Sequence, residues 1–353
     1  MTLTIKKLLV GATAAASMTA ITTTPSFAGN LAKPTDIQFT TNGVNNTDAN
    51  KPNINTWTYG AAQSDNTGIG GVNRRVLNDF TNKGNINKAI AALTDNDSTT
   101  NVELFTDGEV VKDHVGFTAN LGKNTLKVES VTKDDWADGT LATAWLKGFG
   151  NAYGGLMSRI PTTANSNLLQ DFNSNFDSLI TALKTTGFNS AGDANIGDIT
   201  LNQKTGELKV DLVGHLDVSG RYVDTRRTVN NRNNSNYLQS SPDRARNSTG
   251  NAIFDAMLFN LAKTAFLTNT PFQISEIAKI TFNDKVDYAF GFSAIDSGAI
   301  AGDRNKTNDK TSHTGIYSWS QTYAVVPEPS GLFGLFTVGS LIIASRSKCR
   351  KNA

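Results

Sequence analysis

Apolar and polar positions alternate most regularly from Leu208 to Val218. A period of two belongs to a half-buried strand. Leu208, Val210, Leu212, Leu216 and Val218 fall on one face with Gly214 in phase, and Lys209, Asp211, Val213, His215 and Asp217 on the other. Ile199 to Leu201 is predicted to pair with the start of this strand across a turn at Lys204-Thr205-Gly206. A period near 3.6 is clearest from Leu168 to Thr185, where Leu168, Leu169, Phe172, Phe176, Leu179, Ile180 and Leu183 form one stripe. That spacing predicts a single helix, closed by Gly187. Ala252 to Leu267 is predicted as a second helix. A third carries Leu141, Trp145, Phe149 and Ala152, with Asp138 or Thr140 as its N-cap. Gly148, Gly150, Gly154 and Gly155 weaken it by up to about 1 kcal/mol each relative to alanine. They are expected to serve close packing or to end the helix near Tyr153.

Shorter runs fill in the rest. Ile37 to Phe39 and Thr56 to Tyr59 read as strands separated by a polar loop from Thr40 to Pro52. Val72 to Phe80 and Ile86 to Leu93 have helical spacing and are split by Lys83-Gly84-Asn85. Asp107-Gly108 is a hairpin signal between Val102–Phe105 and Glu109–Val111. Val115 to Ala119 and Thr125 to Val131 add strands around Gly122-Lys123-Asn124, and Asn283-Asp284-Lys285 joins Ile280–Phe282 to Val286–Phe292. Asn230 to Ser241 is too polar to pack and reads as a loop. The last strand places Tyr317, Trp319 and Tyr323 on one face. These elements predict a single α+β domain over residues 29–326, a mainly antiparallel β-sheet packed on one side by several amphipathic helices.

The two ends of the chain follow a different pattern. Lys6 and Lys7 precede an apolar, small-residue run from Leu8 to Ile21, and Ser26-Phe27-Ala28 puts small residues before a cut. This is the three-part form of a secretory signal peptide over residues 1–28, with cleavage expected between Ala28 and Gly29. At the other end, Pro327-Glu328-Pro329 precedes an uncharged run over 331–344, and Arg346, Lys348, Arg350 and Lys351 follow it. Proline fixes φ and withholds an N–H, so the two prolines separate the folded body from what comes next. The apolar run is shorter than the roughly 17–25 residues of an ordinary transmembrane helix, and the basic end is expected on the cytoplasmic side.

The tail over 327–353 resembles a PEP-CTERM sorting signal, departing from the usual pattern in that Ser347 and Cys349 interrupt its basic end. The resemblance covers the tail only. It implies an exosortase substrate, held transiently in the inner membrane through 331–344, cut near Pro327-Glu328-Pro329 and delivered to the cell surface or extracellular matrix, as in a biofilm. An uncut C-terminal membrane anchor is the other reading of the same residues.

Composition changes the picture once these ends are set aside. The whole chain has 33 basic and 31 acidic residues; the two ends hold six of the basic ones and Glu328, leaving the body with 27 and 30. A net charge of −3 gives no overall basic footprint for nucleic acid, although Arg221, Arg226, Arg227, Arg232, Arg244 and Arg246 cluster locally. The one cysteine, Cys349, lies in the tail, so the body has neither disulfide nor thiol chemistry.

Candidate chemistry is sparse. His114, His215 and His313 are widely spaced, with no H-x-H or H-x-x-x-H pair for zinc. Asp211, His215 and Asp217 share a strand face and read as its solvated side. Asp95-Asn96-Asp97, Asp193 to Asp198 and Asp303 to Asp309 offer oxygen ligands for calcium but lack the EF-hand glycine and glutamate. Trp57, Trp136 and Trp319 are candidates to stack on sugars, while Trp145 reads as core. No catalytic residue, cofactor or metal ligand emerges. The expected function is a non-enzymatic surface or matrix module that binds exopolysaccharide or surface proteins. An extracellular polysaccharide hydrolase and a calcium-dependent adhesive module are the alternatives.

Overall fold

The structure is a computed structural model and describes residues 31–40, 54–61, 74–78, 86–95, 100–104, 114–188, 192, 194–223, 227–229, 238–240, 251–297 and 315–325. The expectations for the signal peptide, for the cut between Ala28 and Gly29, and for the tail with Pro327, Glu328 and Pro329 lie outside the described residues. So do the Asp107-Gly108 turn, the Asp303–Asp309 loop and His313.

The chain begins with β1 (Leu31–Ala32), β2 (Thr35–Phe39), β3 (Ile54–Ala61), β4 (Arg74–Asn78), α1 (Ile86–Thr94) and β5 (Asn101–Leu104). It continues with β6 (Gly116–Leu121), β7 (Asn124–Ser130), a 3-10 turn (Lys133–Trp136), α2 (Thr140–Met157), β8 (Pro161–Thr163) and β9 (Ser166–Asn167). Next come α3 (Leu168–Ser174), α4 (Phe176–Thr186), β10 (Asn195–Asn202), β11 (Glu207–Gly214) and a short α5 (Ser219–Tyr222). The final elements are β12 (Arg227–Val229), β13 (Leu238–Ser240), α6 (Ala252–Thr268), β14 (Ala278–Phe282), β15 (Lys285–Ala289), β16 (Ile295–Asp296) and β17 (Gly315–Thr322).

Two sheets organise the strands. The larger runs β16-β17-β11-β10-β5-β3-β4, with β1 also on β10, and the smaller runs β15-β14-β7-β6-β2. Every described pairing is antiparallel. Their apolar faces share one core: Val102, Ile199, Leu201, Leu208, Val210 and Tyr317 from the larger sheet meet Phe117, Leu126, Val128, Ile280 and Phe282 from the smaller. Helix α1 adds Ala89, Ala92 and Leu93 to it. A second core gathers α2, α3, α4 and α6 around Trp145, which is fully buried and stacks on Phe149 with ring centroids 5.2 Å apart. The α+β composition is as expected. The single sheet with helices along one side is not: two sheets bury their apolar faces in a common core, and the helices pack mainly on each other.

Local chemistry accounts for the turns. Asn283 and Asp284 both take positive φ, 46° and 67°, the type I′ pattern that matches the twist of β14 and β15. Between β10 and β11, Gly206 takes φ 77° and its N–H donates to the Asn202 carbonyl at 2.7 Å. Helix α2 starts after Gly139 at φ 87°, and Asp138 Oδ1 accepts from the Thr140 N–H at 2.7 Å. It continues to Met157, past the expected end near Tyr153. Gly148 and Gly150 serve close packing: a Cβ at Gly150 would lie 2.8 Å from the Phe172 ring, and one at Gly148 2.9 Å from Phe292.

Four further expectations are corrected. Arg74–Asn78 is a strand paired with β3, not part of a helix. Val72, Val76 and Phe80 are four apart, an even spacing that shares a face in a strand as well as in a helix. The hairpin expected for Val102–Phe105 has no open edge over β5, because Val102 pairs with both Thr56 and Ile196. Leu168 to Thr185 breaks at Asn175, whose Nδ2 donates to the Asp171 carbonyl at 2.8 Å and competes with the helical backbone. Leu238–Ser240, inside the expected polar loop, pairs with Arg227–Val229.

Candidate functional site

The stretch singled out by its alternation ends its strand early. Strand β11 stops at Gly214, and residues 215–218 leave the sheet and run toward the helical core, which takes in Val218. Lys209 is exposed, but Asp211 within the strand and His215 and Asp217 beyond its end are all buried, so the expected solvated face is corrected for these three. Each has a partner within the fold. Ser318 Oγ donates to Asp211 at 2.6 Å. Asp217 Oδ1 accepts from the N–H groups of Ser219 at 2.8 Å and Phe272 at 3.1 Å, which ties the start of α5 to the chain after α6. The Arg221 guanidinium donates to His215 Nε2 at 2.9 Å, and the Tyr317 hydroxyl donates to the His215 carbonyl at 2.6 Å. This cluster is a junction between sheet and helices.

A second cluster has no signal in the sequence because its members are far apart along the chain. Lys279 on β14 donates to Asp135 Oδ1 at 2.8 Å, across 144 residues. Asp135 Oδ2 accepts from the backbone N–H of Thr132 at 2.7 Å and from its hydroxyl at 3.1 Å. Tyr288 on β15 donates to Asp135 at 3.4 Å. Its hydroxyl is pushed above the usual tyrosine range by burial first and by the Asp135 carboxylate second. His114 Nδ1 lies 3.1 Å from the Ser130 carbonyl and its Nε2 3.4 Å from Lys279 Nζ. A carbonyl only accepts and an ammonium only donates, so the ring fits as the Nδ1–H tautomer. The network joins the smaller sheet to the turn that leads into α2.

Neither cluster brings the histidines together. His114 and His215 sit in separate networks, and no group of three His, Cys, Asp or Glu side chains suited to a metal occurs among the described residues. Of the acidic loops, Asp95 accepts from the Thr100 hydroxyl at 2.7–2.8 Å and Asp198 pairs with Lys33. Trp136 and Trp145 are buried, and Trp319 is half-buried against the sheet core.

Among the described residues, a concave surface feature combines apolar and polar lining. A groove of about 460 Å³ lies between α3 and α6, closed at one side by Pro161 and Thr162. Both helices are fixed at their N-termini here. Asn167 and Gln170 form a reciprocal capping box with both bonds at 3.0 Å, and Asn251 Oδ1 accepts from Ile253 and Phe254. Leu168, Phe172 and Met257 are buried and make the apolar floor. Asp171, Asn175 and Asn260 supply polar atoms. Asn175 donates one amide N–H to the Asp171 carbonyl at 2.8 Å, and Asn260 donates one to the Ala256 carbonyl at 2.7 Å. Each amide keeps a second N–H as well as its Oδ1, so both can donate and accept in the groove lining. Periodicity marks Phe172 and Met257 as core but does not show that their edges floor a groove. Comparison of the chain with family models, with curated proteins and with solved structures gives no match in any of the three.

Proposed function

We propose that this chain is an exported surface or extracellular-matrix protein whose body, residues 29–326, binds extracellular polymer without catalysing a reaction on it. The observation that carries this reading is the pairing of the two ends. A basic, apolar, small-residue leader stands at 1–28, and Pro327-Glu328-Pro329 stands before an uncharged run and a basic terminus. A signal peptidase removes the first, and an exosortase acts on the second while 331–344 holds the precursor in the inner membrane. The groove between α3 and α6, with its apolar floor and polar lining, is a surface on which such a polymer can bind.

Replacing Pro327, Glu328 and Pro329 together by alanine tests the sorting step. The variant is expected to accumulate as a longer, inner-membrane-bound precursor while the wild-type chain leaves that fraction. Identical size and fractionation of the two forms would contradict the sorting role of the motif.

A further inference from the structure

We propose that the membrane-held precursor stands with the β10–β11 turn end of its body against the outer leaflet of the inner membrane and its helical half outward. The inference rests on the tail reading above and adds the surface that faces the lipid. Both ends of the body leave the fold at the same place. Leu31 pairs with Asn202 at the end of β10, and Thr322 pairs with Glu207 at the start of β11. Gly206 joins the two: its N–H donates to the Asn202 carbonyl at 2.7 Å, and its carbonyl accepts from the Tyr323 N–H at 2.9 Å. Tyr323 then clamps the outgoing chain. Its ring lies 4.7 Å from that of Phe282, its hydroxyl donates to Asp287 at 2.7 Å, and its carbonyl fills the space that a Cβ on Gly206 would need. The β14–β15 turn lies at this end too, and it is tied to the start of β7 where the Thr125 N–H donates to Asn283 Oδ1 at 2.9 Å.

The helices join the opposite end. β7 ends at Ser130 and leads to α2, β11 ends at Gly214 and leads to α5, and α6 leads back to β14 at Ala278. The eight residues of β11 set the two ends about 23 Å apart at roughly 3.3 Å per residue. Val325 packs beside Gly206 and stands six residues before Gly331, where the uncharged run begins. Six residues of fully extended chain reach at most about 20–22 Å. With the run in the membrane, that reach keeps the turn end close to the lipid. It is too short to lead the chain back along the strands and past the helices. The turn tips carry Lys123, Lys204 and Lys285, all exposed, and ammonium groups suit anionic headgroups. Glu207 and Asp284 are exposed at the same end, so the length of the tether rather than net charge sets the orientation.

The test uses the chain exported by its host with Pro327, Glu328 and Pro329 replaced by alanine, so that the tail is retained. It is purified in detergent and reconstituted into vesicles of phosphatidylethanolamine and phosphatidylglycerol. Cys349→Ser removes the one native thiol. A single dye is then attached at Lys204→Cys in the turn end or at Asn165→Cys in the β8–β9 turn of the helical half, both exposed positions. Energy transfer to a headgroup-labelled lipid is expected to be severalfold stronger from residue 204 than from residue 165. Lys123→Cys gives a second reading of the turn end should the first label disturb the fold, and thermal unfolding reports the fold of each variant. Inserting a flexible Gly/Ser linker of about 30 residues after Val326 is expected to equalise the two sites. A difference that survives the linker would overturn the tether as its cause. Equal transfer without the linker, or stronger transfer from residue 165, would overturn the orientation while the membrane-held tail stands. If the chain neither fractionates with host membranes nor floats with the vesicles, the tail reading and the orientation fall together.

Discussion

Tyr153 closes a two-way hydrogen bond with Gln273, donating to its carbonyl at 2.5 Å and accepting from its N–H at 2.8 Å. Burial raises its hydroxyl well above the usual tyrosine range; the hydrogen bond from the Gln273 N–H opposes that shift, and the Asp217 charge and Tyr222 add to it. A folded pKa above the unfolded value of about 10 means that the native state holds a proton the unfolded chain has lost. The stabilisation is therefore complete below about pH 10 and is lost as pH rises toward the folded pKa, by about 1.4 kcal/mol per pH unit. Tyr153→Phe is expected to cost about 1–3 kcal/mol at neutral pH by leaving Gln273 without its partner. It is also expected to flatten the alkaline fall, and urea denaturation across pH 9–12 reads both effects. Single residues were the least legible level of this chain. Alternation correctly put Leu208, Val210 and Leu212 in the core, but it could not show that the strand stops at Gly214 and carries His215 and Asp217 into a buried junction. The Asp135–Lys279 contact spans 144 residues, beyond the reach of any local pattern.

The helices pack by shape as well as by period. Phe172 is buried on α3 and meets Phe176 edge-on at 5.5 Å across the Asn175 break, whereas Phe176 is only partly buried. Phe172→Ala is therefore expected to cost about 3–5 kcal/mol. Phe176→Ala should cost clearly less, which reverses the weight a single continuous stripe would give it; equal midpoints in urea would contradict the break. The glycines of α2 divide in the same way. A methyl group at Gly150 meets the Phe172 ring at 2.8 Å, while one at Gly155 meets nothing within 4 Å. Gly155→Ala is expected to stabilise by about 0.4–1 kcal/mol through helix propensity and lost chain entropy. Gly150→Ala should destabilise by about 1–3 kcal/mol through overpacking; melting temperatures that move together would contradict this packing. Helix existence was legible from period, as α1, α2 and α6 show. The break at Asn175 depended on a side chain competing for a backbone carbonyl, and the strand identity of Arg74–Asn78 on a partner across β3.

At the scale of the molecule, alternation showed that strands have one apolar face but not what each face would meet. Two sheets with like patterns can each be covered by helices or can cover each other, and here the Phe282 and Tyr323 rings approach to 4.7 Å within their shared core. The body carries no cysteine, so this core and the helical one stabilise the chain without a disulfide. The groove was illegible for a related reason, since its floor residues satisfy the core pattern and its polar side chains come from segments far apart along the chain, Asp171 and Asn175 from one and Asn260 from the other. The proposed function rests instead on the two ends, whose apolar and basic patterns are legible without a fold. Mass spectrometry of the protein recovered from the surface of its native host tests that placement most directly. The expected mature chain begins at Gly29 and ends at or near Pro327-Glu328-Pro329. Recovery of an intact Met1, or of peptides running through Cys349 in the surface fraction, would contradict it.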